Sequence, residues 1–400
     1  MPKLRFHFIP RWSPIFGSLA LTLLALPGCA RFHHEQFENV YVAARQAYLH
    51  DRVAAVSNRV GQVTNGETLQ VVERGRRFVK VRTPKGEVGW LEEHAVIDNK
   101  LYNQFQDLAK KHAEAPVVAH GELRDDLYLH ITPGRETPHF LLVTGNTKVQ
   151  LLQRGIVAKP QAPGVVAPKP KANAVGEPPP PPSMEDWWLI RDAAGHTGWL
   201  LANRVDVDVP DEVAQYSESQ RMVAAYPIAT VIDDGTGREH RKSPRDDKNS
   251  VKPRDVSETA TAPEPKEMTE YVTVLSPPRG GLPYDFDQIR IFTWSLNHHR
   301  YETAYRLHGL QGYLPVTISK ETVNGQTYPT FTFQIADTPD VKVDPETGVT
   351  RPANPRTLSF RLEGNLVRRT GKDQAPIILN HDLGDTDSAK AKAAAKKKKG

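Results

Sequence analysis

The chain has one cysteine in 400 residues, Cys29. No intrachain disulfide can form, so the fold rests on packing and hydrogen bonds. Long hydrophobic runs are missing too. The apolar stretch from Trp12 to Leu26 has 15 residues, short of the about 20 that span a bilayer. The sequence has no His-Glu-x-x-His, no Gly-x-Ser-x-Gly, no Walker loop and no Gly-x-Gly-x-x-Gly, so no spacing marks a catalytic or nucleotide site. An excess of one charge is also lacking from the body. Of a net +5, three positives are Lys3, Arg5 and Arg11, and residues 386–400 carry six lysines against one aspartate. What lies between is close to neutral, which excludes the profile of a nucleic-acid-binding domain. Hydrophobic residues make up 38% of the chain and 33 residues are prolines, so several small domains on linkers are expected in place of one large core.

The start of the chain is informative. A basic stretch free of acids precedes the apolar Trp12–Leu26, and Leu26-Pro27-Gly28-Cys29 follows. Residues 1–28 read as a secretory signal. The Leu-Pro-Gly-Cys ending resembles a bacterial lipobox, which implies that the Cys29 thiol is acylated and becomes the new N-terminus. Acyl chains anchor stably in pairs, each buried CH₂ contributing about 0.8 kcal/mol. Ala30 in place of an aspartate points to the outer membrane. With the only cysteine committed to the anchor, no cysteine nucleophile remains for the mature body.

A repeat organises the first half. Gly-x-x-Gly-Trp-Leu occurs from Gly86 and again from Gly195, so that Phe78–Trp90 lies over Trp187–Trp199 without a gap at an offset of 109. Upstream the offset is 80: LQVVERG at Leu69 matches VQLLQRG at Val149, and Tyr48-Leu49-His50 matches Tyr128-Leu129-His130. The second copy therefore carries an insertion, placed at 156–186, rich in Pro, Ala and Lys. Within each copy, apolar and polar residues alternate between Gly-containing turns, the pattern of β-hairpins. Gly86 and Gly195 supply the turns, and Gly89 and Gly198 suit close backbone approach beside the tryptophans. Several short strands in about 60 residues suggest a small, strongly bent barrel.

These residues carry a resemblance to the bacterial SH3 (SH3b) domain: Gly66-Glu67, LQVVERG, the aromatic strand at Phe78, Gly-x-x-Gly-Trp-Leu, and the closing Val96-Ile97. The first copy spans 38–98 and the second 116–208. The resemblance implies a small barrel that binds cell-wall peptides or protein partners, and it does not imply catalysis. Both copies replace the family's usual Leu-Asn-Val-Arg-x-Gly-Pro opening, with YLHDRVAAVSN and YLHITPGRETP.

Outside the repeats, residues 99–115 place Leu101, Phe105 and Leu108 at helical spacing, a linker helix that docks one barrel on the next. Residues 209–230 read as a second helical segment, broken at Pro227. Residues 231–268 are polar and proline-containing and read as a disordered linker. Residues 269–371 read as a C-terminal β domain, with a hairpin over Ile289–Leu296 and Tyr301–Leu307. Residues 372–400 read as a disordered Lys-rich tail, a solvated end or a contact for anionic lipid, lipopolysaccharide or wall polymer.

The aromatic residues divide into two groups. Trp90 and Trp199 are expected in the core of their barrels. Trp187 and Trp188 are adjacent on a strand, so at least one should face outward. With Phe78, they are the candidate ligand-binding residues. The pairs His33-His34 and His298-His299 lack the i, i+4 partner or nearby cysteine of a zinc site, and two acids at Asp285 and Asp287 make a poor calcium loop, so no metal or cofactor is expected. The reading is mainly β: two SH3b-like barrels, a small β domain, short linker helices and disordered proline-rich or charged segments. It describes a non-catalytic, lipid-anchored envelope scaffold facing the periplasm, with peptidoglycan or envelope proteins as partners and no nucleic acid. The alternative is a subunit or regulator of a wall-processing enzyme complex, with an effector or substrate site in the C-terminal domain.

Overall fold

The computed structural model describes residues 38–160, 183–235 and 264–379. The signal segment, Cys29, His33-His34, residues 161–182 of the insertion and the lysine tail from 380 lie outside the described residues. Strands dominate, in three seven-stranded antiparallel sheets.

The first sheet is built from β1 (Asn39–Val42), β2 (Gln46–His50), β3 (Arg59–Thr64), β4 (Thr68–Arg74), β5 (Phe78–Arg82), β6 (Val88–Glu92) and β7 (Val96–Asp98), in the order β3-β2-β6-β5-β4-β1-β7. Its alternating strands turn Val40, Val42, Leu49, Val63, Leu69, Val79, Val81 and Leu91 into one core, the period-2 burial that half-buried strands require. The second barrel repeats that order with β8 (Ala119–Leu123), β9 (Leu127–His130), β10 (His139–Val143), β11 (Lys148–Ala158), β12 (Met184–Arg191), β13 (Thr197–Leu201) and β14 (Val205–Val207). The duplicated glycines perform the same tasks in both. Gly86 (φ +87°) and Gly195 (φ +88°) hold their turns in the left-handed region. A Cβ on Gly89 or Gly198 would come within 2.8 or 2.7 Å of the Cβ of Leu49 or Leu129.

Helix α1 (Asn99–Lys111) follows the first barrel, capped by the Asp98 carboxylate accepting from Leu101 N at 2.8 Å. Its Phe105 is buried, and Tyr102 stacks on Tyr41 at 3.7 Å and edges onto Phe140 of the second barrel. The barrels also touch directly, where Asn65 Oδ1 accepts from Leu142 N at 2.8 Å and Arg45 pairs with Asp126.

The third sheet runs as a meander through β15 (Arg221–Asp233), β16 (Lys266–Ser276), β17 (Phe286–Ser295), β18 (Arg300–Val323), β19 (Gln326–Ala336), β22 (Pro355–Glu363) and β23 (Leu366–Thr370). Between β19 and β22 stands a separate hairpin, β20 (Val341–Val343) and β21 (Thr350–Pro352). Helical structure in 209–230 is confined to one turn, α2 (Asp211–Ala214); from Arg221 the chain is strand. Pairing with β16 overrides the local helical pattern of Met222–Ala225. Pro227, which would break a central strand, is accommodated because β15 is at the sheet edge. The C-terminal domain thus begins at Arg221. Val231–Asp233 pairs with Lys266–Met268 where a disordered linker was expected, and only 236–263 of that stretch lies outside the described residues. The inserted segment is likewise shorter than 156–186, since Ile156–Ala158 pairs with Met184–Asp186. The tail also starts later than 372: Asp373, pushed down to about 2 by Arg356, accepts from Arg356 at 2.9 Å, and Ile377 and Leu379 pack on the core.

One core runs from α1 and the second barrel into the third sheet, joining Phe140, Trp188 and Ile190 to Ile289, Phe331 and Phe360. Arg154 locks this junction. Buried with 6% exposure, it donates to Asp186 and Asp285 at 2.9 Å each and to the carbonyl oxygens of Leu282 (2.7 Å) and Tyr284.

Candidate functional site

On the first barrel, β2 ends at His50 and the chain leaves the sheet as the loop 51–58 before re-entering at Arg59. The loop is closed at its neck. Asp51 and Asn58 exchange backbone and side-chain hydrogen bonds, with Asn58 N to Asp51 Oδ1 at 2.9 Å, which holds the Asp51 carboxyl below the usual carboxylate range. His50 Nδ1 lies 2.9 Å from Ser57 Oγ. Between this loop and the outward face of β5 and β6 is a groove of about 640 Å³, with Tyr48, His50, Val53, Phe78, Trp90 and Glu92 among its walls.

The groove combines apolar anchors with a charged rim. Trp90 and Phe78 are half-buried. Lys80 Nζ stands 5.8 Å from the Trp90 ring centroid and the Arg59 guanidinium 3.9 Å over Tyr48, cation–π contacts that hold the rings without covering them. Val53 and Val56 on the loop are 50% and 82% exposed. Trp90 is therefore not the core plug that its motif suggests. Its ring is on the outward face of β6, while Leu91 next to it points into the barrel with 2% exposure.

The second barrel holds the same parts in a closed state. His130 Nδ1 lies 2.9 Å from Thr137 Oγ1, as His50 does from Ser57. His130 is pushed down to about 4, first by burial and then by neighbouring His139. Neither Trp187 nor Trp188 faces solvent, with exposures of 2% and 5%. Trp188 enters the barrel core. Trp187 takes the outward face, which is covered. Leu152, Trp187, Leu189 and Trp199 on that face pack against Val349 from the turn between β20 and β21. Ile156 N donates to Gly348 O at 3.1 Å, and Gly155 forms an antiparallel bridge with Val349. The candidate ligand residues therefore separate: Phe78 lines the open groove, and Trp187 and Trp188 are buried. Tyr48, His50 and Ser57 complete the groove. Sequence reasoning missed them; the repeated Tyr-Leu-His at 48–50 and 128–130 marked the duplication and is the signal that could have found the first two.

His298, His299 and Asp285 have ordinary partners. His298 pairs with Glu302 and His299 with Asp233, both at 2.7 Å, and Asp285 holds Arg154. Among the described residues no group of three His, Cys, Asp or Glu is placed to hold a metal ion. No helix among them is long and apolar enough to cross a membrane.

Comparison with known proteins agrees with this barrel. Residues 52–96 match the bacterial SH3 domain. No curated protein matches the chain. Among solved structures, it is similar to NlpC2 from Trichomonas vaginalis at 9% identity, covering 46% of this chain and 55% of that one, with a TM-score of 0.15. An NlpC/P60 family protein from Bacillus cereus ATCC 10987 aligns at 14% identity over 46% and 64%, TM-score 0.20. A putative autolysin from Listeria monocytogenes aligns at 11% identity over 73% and 92%, TM-score 0.15. The alignments thus span between about half and two thirds of the first two structures.

Proposed function

We propose that this chain is a non-catalytic binding protein of the bacterial cell envelope, with two tandem SH3b-like barrels, and that its first barrel is the module that engages the wall or a protein on it. The observation that carries the reading is the contrast between the copies. One aromatic face is permanently filled by the chain itself, and the other is a groove with half-buried rings that no described residue fills. Exposed aromatic anchors with a charged rim are what a reversible interface requires. The bacterial SH3 match at 52–96 supports a wall-related role.

The second barrel and the third sheet form the scaffold in this reading. Their shared core and the Arg154 network give a rigid body on which the first barrel is mounted through α1. Cys29 is the anchor. Nine residues separate it from Asn39, a reach of at most about 35 Å, so the anchored chain presents its first barrel close to the membrane, with the outer membrane as the expected site.

Fractionation and binding test the two halves separately. Cys29→Ser is expected to abolish acyl labelling and to release the protein from membranes; a variant that fractionates as wild type does refutes the anchor. For the groove, full-length protein is incubated with purified sacculi and, in parallel, with periplasmic extract. Trp90→Ala is expected to lose at least tenfold in binding with unchanged circular dichroism. Equal binding by Trp90→Ala and wild type in both assays removes the groove from the function.

A further inference from the structure

The second barrel shows what its own face accepts. The occupant is the turn Asp344-Pro345-Glu346-Thr347-Gly348-Val349, presented on β20–β21 and closed by the Asp344 carboxylate, which accepts from Thr347 N at 2.8 Å and Glu346 N at 3.0 Å. It docks in two ways: by backbone at Gly155–Ile156, and by the Val349 side chain against Trp187 and Trp199. Glycine is required on both sides. A Cβ on Gly155 would clash with the Thr347 carbonyl oxygen, and one on Gly348, whose φ is +62°, with the Ile156 carbonyl oxygen.

The first barrel retains the receiving half of this arrangement, and no described residue fills it. Gly75 corresponds to Gly155 and flanks the Trp90 ring as Gly155 flanks Trp199. The nearest atoms to a Gly75 Cβ are its own hairpin's Phe78 carbonyl oxygen at 3.2 Å and Trp90 Cζ3 at 3.5 Å. Where the covered face has Leu152, Leu189 and Leu201, the open one has Val72, Lys80 and Glu92. That exchange turns a permanently buried surface into one that stands in water between binding events. Exposed apolar side chains also concentrate here. Of the eleven large ones among the described residues, Val53, Val56, Val60, Val72 and Val88 are on this barrel.

We infer that the first barrel takes from another protein the kind of element that the second takes from its own chain: a glycine-containing β-turn with an apolar residue directly after the glycine. The turn's backbone pairs at Gly75–Arg76, as an added strand does at a sheet edge, and its apolar side chain sits on Trp90 and Phe78. This rests on the binding role of the first barrel proposed above and names the partner as a folded protein presenting a hairpin turn.

The probe is a synthetic peptide of residues 342–352, Lys-Val-Asp-Pro-Glu-Thr-Gly-Val-Thr-Arg-Pro, titrated onto the full chain and followed by NMR. Saturable shifts of the Gly75 and Arg76 amides and the Trp90 indole are expected. At least tenfold weaker binding is expected for the peptide carrying V349D, and for a Gly75→Val or Trp90→Ala protein that retains its circular dichroism. Absence of saturable shifts at Gly75–Trp90 overturns the inference, as do shifts confined to Trp199. Muropeptides that produce those shifts where the turn peptide does not also overturn it, as does Trp90-dependent dimerisation of the chain. Should Trp90-dependent sacculus or extract binding persist while the turn peptide fails, only this inference falls; loss of both removes the binding role as well.

Discussion

Trp90 and Trp199 have the same local sequence and opposite surroundings. Trp199 is 1% exposed, under the β20–β21 turn, with Gly155 against its ring, whereas Trp90 is half-buried at the groove. Substitution should separate them. Trp199→Ala removes a buried aromatic from a face shared by two domains and is expected to cost about 3–5 kcal/mol in urea unfolding, a large share of the stability of most proteins. Trp90→Ala is expected to cost less than about 1.5 kcal/mol, because its ring already meets water on one side. Equal destabilisation by the two would return Trp90 to the core.

At the scale of elements, the hairpin of β11 and β12 decides how the second barrel tolerates its insertion. The ladder closes at Lys159 N to Ser183 O, 2.8 Å, so the chain leaves and returns at neighbouring positions. Replacing 160–182 with a two-residue Asn-Gly turn fits that spacing, and closing a shorter loop loses less entropy. The melting temperature of the shortened protein is expected within a few degrees of wild type. A fall of ten degrees would show that the excised segment stabilises the barrel. The neighbouring β12 is buried on both faces from Glu185 to Ile190. Its Trp188 and Ile190 join the main core, and Trp187 and Leu189 on the other face pack with Val349.

For the whole molecule, Arg154 joins the second barrel to the third sheet. Arg154→Ala leaves Asp285 without its guanidinium and Asp186 with only Arg221, at 3.3 Å, and breaking a buried pair in this way costs about 3–5 kcal/mol. The expected result is a urea midpoint lowered accordingly. Replacing all three residues with apolar ones of similar volume should restore most of the loss, since what destabilises is the unpaired charge and not the absence of the ion pair. A single variant that unfolds as wild type does would mean that the junction is held by the apolar core alone.

The duplication, the mainly β class, the Gly86 and Gly195 turns, the close approach at Gly89 and Gly198, and α1 were legible in the sequence. Each depends on periodicity or backbone conformation within a few residues. The expectation of a solvent-facing tryptophan passed over a contrast that the sequence contains: FVKVR alternates from Val79, as a half-solvated strand does, whereas the first four residues of WWLIR are all apolar, as in a strand covered on both faces. The adjacent-residue rule put one of Trp187 and Trp188 on an outward face and was right about direction, but it was silent on what covers that face. Tertiary structure decided that, bringing Val349 onto Trp199, 150 positions away in the sequence. It likewise turned Arg221–Asp233 into an edge strand by pairing it with β16, against a local helical pattern. Local spacing specifies which way a side chain points. Whether water or another part of the chain meets it there depends on contacts distant in sequence, and in this protein that difference separates the closed face from the open groove.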